Sequence, residues 1–282
     1  MLKVLKPGFY TTVQDIGRIG YLNKGVPVSG NMDANAALIA NQLLDNRDNA
    51  AVLEITMTGP TLVFEKETYI SLTGAKLSAT LNNKPITNNK VYKIYAGDIL
   101  SYGKLLEGLR GYLAIKNGFL TEKLLGSRSY YYPITKERCL ESNTTMVYEK
   151  CSDFSPKISP LRLKSLLGEN VIKVYKGPEF YLLNDNQLAS LFSKEFSVAK
   201  ENDRMAYQIE ENIEGLTYSM LTSATLPGTI QLTPSGKLIV LMKDGQTTGG
   251  YPRILQLTEE AICILAQKKY RDKLSFRLSV SN

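Results

Sequence analysis

The chain of 282 residues contains no histidine, no tryptophan and only three cysteines. Without histidine there is no Ser-His-Asp or Cys-His catalysis, no imidazole acid–base chemistry and no metal site that needs a His ligand. Any catalysis therefore falls to Asp, Glu, Lys, Arg, Tyr, Ser, Thr or backbone amides. Cys139, Cys151 and Cys263 are odd in number, far apart and form no C-x-x-C pair. That pattern argues against a disulfide framework and against a zinc knuckle. Cys263 lies in an apolar helical run and is expected to pack as a small hydrophobe. No stretch approaches the ~18 apolar residues that span a membrane, and Met1–Pro7 lacks the apolar core of a signal peptide. The expected address is the cytoplasm, without membrane association. Nucleotide and hydrolase motifs are also missing: there is no G-x-G-x-x-G and no G-x-S-x-G. Gly228–Leu238 ends in Gly236-Lys237 at the wrong spacing for a P-loop, with Leu238 where Ser or Thr would hold magnesium.

What is present is a globular composition, 43% hydrophobic and 22% charged, at a length that favours two domains. The net charge is +7, with 18 basic and 13 acidic residues in 1–150 and 16 and 14 in 151–282. An excess this dispersed reads as a solvated surface rather than a nucleic-acid face, which concentrates Lys and Arg among aromatics. A slightly basic cleft for an acidic small molecule stays open.

Most of the chain reads as short strands: Val52–Ile55, Thr61–Phe64, Thr68–Leu72, Lys76–Leu81, Val91–Tyr95, Ile99–Tyr102, Arg110–Ile115 and Thr145–Tyr148. Gly59-Pro60, Gly74, Gly97-Asp98 and Gly118 punctuate them, and Asn82-Asn83 reads as a hairpin tip. This spacing predicts a mainly β protein, a sandwich or barrel, with a few helices. Helices are expected over Asn31–Leu44, with Met32, Ala36, Ile39 and Leu43 on one face and Ser29 or Asn31 as cap. Two more are expected over Asn184–Phe196, burying Leu188, Leu191 and Phe192, and over Thr258–Tyr270. A Ser/Pro-rich stretch, 151–168, reads as a linker between a first domain, 1–150, and a second, 169–282.

Three segments carry more turn-formers and polar groups than a core needs. In Asp15–Asp33, glycines at 17, 20, 25 and 30 lead a loop to a helix N-terminus, where backbone N–H groups favour an anion. Asp15, Arg18, Tyr21, Ser29 and Asp33 could orient a carboxylate or amide there. A structural loop with a capped helix and an Asp15–Arg18 ion pair explains the same residues equally well. In Lys237–Pro252 an apolar strand runs into Asp244, Gln246, Thr247, Thr248, Gly249 and Gly250, either a nest of N–H groups for a carboxylate or phosphate or a hairpin connection. Asn202–Tyr207 repeats the acid–Arg–Tyr theme with Asp203, Arg204 and Tyr207, either as a carboxylate fork or as a local ion pair.

Taken as a set, Gly8–Tyr21, Gly25–Asp33, Asn41, Leu53-Glu54, Gly59-Pro60, Gly126–Ser129, Asp203–Met205, Gly228–Gln231 and Gln246–Pro252 resemble the biotin-dependent carboxyltransferase family. This family is also described as KipA-like or allophanate hydrolase subunit 2-related, and the chain looks like its branch of bacterial 5-oxoprolinase C subunits. The resemblance covers nearly the whole length. It implies two β-barrel domains of cyclophilin-like fold. It implies two partners, a KipI-like B subunit together with a LamB/YcsF-type A subunit, in a complex that cleaves 5-oxo-L-proline to L-glutamate with ATP and Mg2+. Met242-Lys243 is weakly similar to a biotinylation site, but Asp244 follows and no carrier-sized hairpin surrounds it, so neither biotin nor a metal is expected on this chain. On the family resemblance the catalytic candidates are Asp15, Arg18 and Asp244, with Asp15 or Asp244 positioning the nucleotide metal or water. The substrate- and anion-binding candidates are Tyr21, Ser29, Asp33, Arg204, Gln231, Gln246, Thr247, Thr248, Gly249, Gly250 and Tyr251. Tyr130-Tyr-Tyr-Pro133, Ala206 and the Lys243 and Gly245 that flank Asp244 depart from the family pattern. Two other readings stay open: a non-catalytic KipA-like regulator that binds a KipI-like kinase inhibitor, and a carboxyltransferase component acting on urea-like amides.

Overall fold

The computed structural model describes residues 1–156, 165–218 and 220–279. The chain divides into two compact units, Met1–Arg18 with Ser29–Leu167, and Ile19–Val28 with Gly168–Asn282. The central part of the expected linker, 157–164, lies outside the described residues. A segment of ten residues early in the chain thus belongs to the C-terminal unit, which a linear division at 151–168 does not anticipate. The chain leaves and returns beside Gly17 and Gly30, both at positive φ (91° and 82°). A Cβ on Gly30 would sit 2.9 Å from the Asp15 carbonyl oxygen and the Gly17 nitrogen, so only glycine lets the two passes touch.

In the first unit the strands are β1 (Leu2–Lys6), β2 (Tyr10–Gln14), β3 (Val52–Thr56), β4 (Thr61–Phe64), β5 (Thr68–Leu81), β6 (Lys84–Pro85), β7 (Val91–Ile94), β8 (Ile99–Ile115) and β9 (Thr145–Met146). They form one sheet in the order β2-β3-β8-β4-β1-β9, with β5 pairing β6, β7 and β8. Strand β5 is continuous where Gly74 predicted a break, and β8 joins the expected runs Ile99–Tyr102 and Arg110–Ile115 into one strand. Gly74, at φ 71°, sits where the β5–β8 register shifts, and a Cβ there would meet the Arg110 carbonyl oxygen at 2.6 Å. The glycine makes a bulge inside a strand rather than its end, and such bulges curl the sheet. Asn82 and Asn83 form the hairpin tip at φ 50° and 64°.

Strand β3 is buried on both faces. Leu53 and Ile55 join Val4, Val13, Leu62, Phe64 and Leu113 in one core, while Val52 faces helix α1 (Ala34–Leu43) with Tyr69, Tyr112 and Ala114. The helix differs from expectation in cap and face. Asp33 caps it, accepting from the Ala36 N–H at 2.9 Å. Its buried face is Ala36, Ala37, Ala40 and Asn41, with Ile39 and Leu43 half-buried. The alanines let the helix lie so close to β5 that the Ser71 and Thr73 hydroxyls donate to the Ala40 and Ala36 carbonyls, each at 2.6 Å.

The second unit carries β10 (Val171–Lys176), β11 (Phe196–Asn202), β12 (Ala206–Ile209), β13 (Ser223–Ala224), β14 (Thr229–Leu232), β15 (Leu238–Leu241), β16 (Thr248–Gly249), β17 (Arg253–Leu257) and β18 (Lys273–Leu278). Seven of these close a barrel in the order β10-β17-β14-β15-β12-β11-β18, sealed by the parallel β18–β10 pair; β13 and β16 form a separate ribbon. Helix α2 (Asp185–Ser193) opens on an Asn184–Gln187 capping box. It buries Leu191, while Leu188 and Phe192 are half-buried. Helix α3 (Glu259–Ala266) is capped by Thr258 and stops before Lys268-Lys269. The protein is mainly β, as expected, with one closed barrel and one curled half-barrel sheet.

The α1 packing gives a direct test. Ala40→Leu is expected to destabilise the protein by about 1–3 kcal/mol through overpacking. Ile39→Ala, at a half-buried position, should lower stability by about 1 kcal/mol or less. Urea denaturation of both variants reads the difference, and a larger loss for Ile39→Ala contradicts the observed face.

Candidate functional site

In the first unit the motif segments converge on Asp15, at the end of β2. Its Oδ1 accepts from the Gly17 N–H (2.8 Å), the Ser127 hydroxyl (2.5 Å) and the Ser129 hydroxyl (2.8 Å), and its Oδ2 from the Arg128 N–H (2.7 Å). The Asp15 carbonyl accepts from the Asn31 N–H at 2.9 Å. One buried carboxylate therefore ties together the loops 15–17, 29–31 and 127–129. Arg18 is fully buried and donates from Nη2 to the Ser129 carbonyl at 2.6 Å. Ser29 is buried at φ 56°.

Asp33 caps α1, and its own N–H donates to the Tyr112 hydroxyl at 2.7 Å. That hydroxyl donates to Glu54 Oε2 (2.8 Å), which also accepts from the Met32 N–H (2.8 Å); Arg110 Nε lies 3.8 Å from Glu54 Oε1. Burial, followed by the negative charges of Glu54 and Asp33, pushes the Tyr112 hydroxyl well above its ordinary pKa, so it stays a donor. Sequence reasoning assigned no role to Glu54, Arg110 or Tyr112. Their signal was a charged residue inside each of two apolar strands, Val52–Ile55 and Arg110–Ile115.

In the second unit Arg204 and Asp244 form a bidentate pair, Nε to Oδ2 at 2.8 Å and Nη2 to Oδ1 at 3.1 Å, and the Asp244 N–H returns to the Arg204 carbonyl at 2.8 Å. Asp203 accepts from the Met205 and Ala206 N–H groups and fixes the opposing turn. Gln231 is buried, and any side chain at Gly249 would overlap its amide. Lys243 faces Glu259 at 3.6 Å. The Thr225 N–H donates to the Thr247 carbonyl at 3.0 Å, and the Thr225 hydroxyl to the Gln246 carbonyl at 2.5 Å.

These ties build one wall of an open cleft of about 500 Å³, lined by Leu22, Asn23, Gly25, Ala224, Thr225, Leu226, Thr247 and Thr248. The Gly20–Gly25 segment and the Gln246–Gly250 loop, singled out separately in the sequence, meet here. Tyr21 stands beside the lining, its ring under Lys24 with Nζ 5.5 Å from the centroid. Gln246, Thr248, Gly250 and Tyr251 are exposed.

Among the described residues no charged side chain lines the cleft. Its polar groups are three hydroxyls, a carboxamide and backbone, a set that suits a neutral amide better than an anion. A general base needs a lone pair within reach of the proton it takes. The Asp15 carboxylate is met by four donors and that of Asp244 by an arginine fork, so both hold loops in place. Neither fits a nucleotide-bound metal, and no group of three or more Cys, Asp or Glu among the described residues is arranged to hold a metal ion. No helix among the described residues is long and apolar enough to cross a membrane.

Fold and site define a β-barrel protein with a neutral polar cleft in its second unit. Residues 24–278 match the family model of the carboxyltransferase domain, subdomain A and B, and the chain belongs to that family. It is 33% identical to the C subunit of 5-oxoprolinase from Escherichia coli (strain K12) over 273 residues, 95% of this chain and 87% of that protein. It is 45% identical to the urea amidolyase of Lachancea kluyveri over 130 residues, 46% of this chain and 7% of that one. Among solved structures it resembles TTHA0988 with a TM-score of 0.88 and 26% identity, over 98% of this chain and 56% of that one. The chain thus spans just over half the length of that solved relative.

Asp15→Ala leaves three buried donors and one half-buried donor without an acceptor and is expected to lower stability by about 3 kcal/mol or more. Asp15→Asn, which keeps one acceptor, should lower it by less. Thermal denaturation that ranks the two in the reverse order contradicts the knot.

The second unit supplies a pH test. Arg253 holds the Glu179 carboxyl below its ordinary range, chiefly through their hydrogen bonds. A depressed carboxyl contributes stability that is complete above the unfolded value, about 4.3, and lost as pH falls through the lower folded value. The stability gap between wild type and Glu179→Gln should therefore narrow on acidification below about pH 4.3. Urea denaturation at stepped pH checks it, and a gap that widens there has the wrong sign.

Proposed function

We propose that this chain is the C-type subunit of a 5-oxoprolinase complex that hydrolyses the lactam of 5-oxo-L-proline to L-glutamate at the expense of ATP. It works only with a KipI-like B subunit together with a LamB/YcsF-type A subunit, in the cytoplasm. The observation that carries this reading is the end-to-end likeness to the C subunit of a 5-oxoprolinase, over 95% of this chain and 87% of that protein. The likeness to urea amidolyase covers 46% of the chain.

The cleft supports the same reading. A lactam presents one carbonyl acceptor and one N–H donor on a compact apolar ring. The Thr247 and Thr248 hydroxyls and the Asn23 carboxamide offer complementary partners, with Leu22 and Leu226 for the ring. The cations expected to take the substrate carboxylate are engaged elsewhere, Arg18 with the Ser129 carbonyl and Arg204 with Asp244. The carboxylate and the metal–nucleotide are therefore assigned to partner subunits, and Lys243 carries no biotin. Family membership and the urea amidolyase match favour one second reading, carboxyl transfer to a urea-like amide with a biotin carrier supplied from outside.

The test is co-expression with candidate A and B subunits and measurement of glutamate release from 5-oxoproline, with and without ATP and with and without this chain. Release is expected only when both are present, and Thr247→Ala with Thr248→Ala should lower kcat/KM about 10-fold or more. A complex that assembles but carboxylates urea instead of releasing glutamate moves the second reading ahead. One that does neither points to the regulatory role.

A further inference from the structure

Ribbon β13–β16 forms the cleft wall, yet it is only two residues long on each side, pairing Ser223 with Gly249 and Ala224 with Thr248. A ribbon this short does not hold itself in water. Described residues 212–218 and 220–222, which lead into it, belong to no helix or strand. Something outside the ribbon must fix it.

The Leu226–Thr229 turn ties its trailing end to β14, and one side chain reaches the ribbon itself: Arg253, at the start of β17. Glu179 accepts from its Nε (2.9 Å), its Nη2 (2.8 Å) and its backbone N–H (2.9 Å). The remaining arm of the fork, Nη1, donates to the Ala224 carbonyl at 2.6 Å. Gly177 lets the turn that carries Glu179 lie against β17, since any side chain there would overlap the Arg253 carbonyl. The guanidinium is planar and pinned on one edge by a carboxylate, so its free edge has a set direction. From Ala224 the ladder continues to Thr248, and from Thr225 to Thr247 and Gln246.

We infer that Arg253 is a positioning residue. Clamped by Glu179, it holds the Ala224 carbonyl and through it the Thr247 and Thr248 hydroxyls that orient the amide substrate. This role rests on the cleft being the amide site, but its structural half is tested without substrate. Lysine keeps the charge and loses the fork, so Arg253→Lys is the diagnostic variant.

Hydrogen exchange on the full chain should show segments 223–226 and 246–249 of Arg253→Lys exchanging about 10-fold faster or more, with strands β10, β14 and β15 unchanged. In the assembled complex the same variant should lose roughly 10- to 100-fold in kcat for 5-oxoproline. Guanidinium at sub-denaturing concentration should restore part of the kcat lost in Arg253→Ala, because the Glu179 carboxylate and Ala224 carbonyl still face a slot for a planar cation. A residue that merely stabilised the fold would give no such rescue. Unchanged exchange in Arg253→Lys overturns the inference whatever the activity, and faster exchange with full turnover overturns the positioning role. A wild-type complex inert on 5-oxoproline counts against the proposed function instead, and exchange alone then decides whether Arg253 holds the wall.

Discussion

A carboxylate withdrawn from water must be met by donors, and several loops of this protein are arranged around carboxylates that are. Asp15 gathers four donors from three loops, Asp244 is closed by the Arg204 fork, and Glu179 takes three donors from Arg253. Each arrangement fixes backbone that no regular ladder would hold. Removing one member leaves buried groups unpaired, which is why such clusters are costly to break even where their net contribution to stability is small.

That constraint changes how the distinctive motifs are understood. Asp15, Arg18, Arg204 and Asp244 are the residue types expected at a reaction centre, yet here their charges are directed at one another or at backbone. The groups left facing the cleft are neutral: threonine hydroxyls, an asparagine amide and backbone. A protein built this way is suited to orienting an amide. Nucleotide chemistry calls for metal ligands and free cations, which this cleft does not offer among the described residues.

Much of the fold was legible in the sequence because it rests on local rules. Asn82-Asn83 turned as expected, the second and third helices opened at the expected Asn184 and Thr258, and most strand runs of the first half lay in the expected β-rich segments. The failures have a common cause in partners far along the chain. Gly74 read as a strand end and is a bulge, since what requires glycine is the Arg110 carbonyl on a neighbouring strand. Alanine, rather than Ile39 and Leu43, faces the sheet, because close approach lets Ser71 and Thr73 bond the helix backbone. The segment Ile19–Val28 gave no local sign that it would join the second unit. For the site, spacing could not tell a free carboxylate from an engaged one. The Ser127 donor to Asp15 is 112 residues away, and Arg204 lies 40 residues from Asp244.

The most direct test of the central claim is a structure of the assembled complex with 5-oxoproline bound. The lactam is expected within hydrogen-bond reach of the Thr247 or Thr248 hydroxyl, with its carboxylate facing a residue of another subunit. A lactam lodged against the carboxylate of Asp15 or Asp244 would contradict the account.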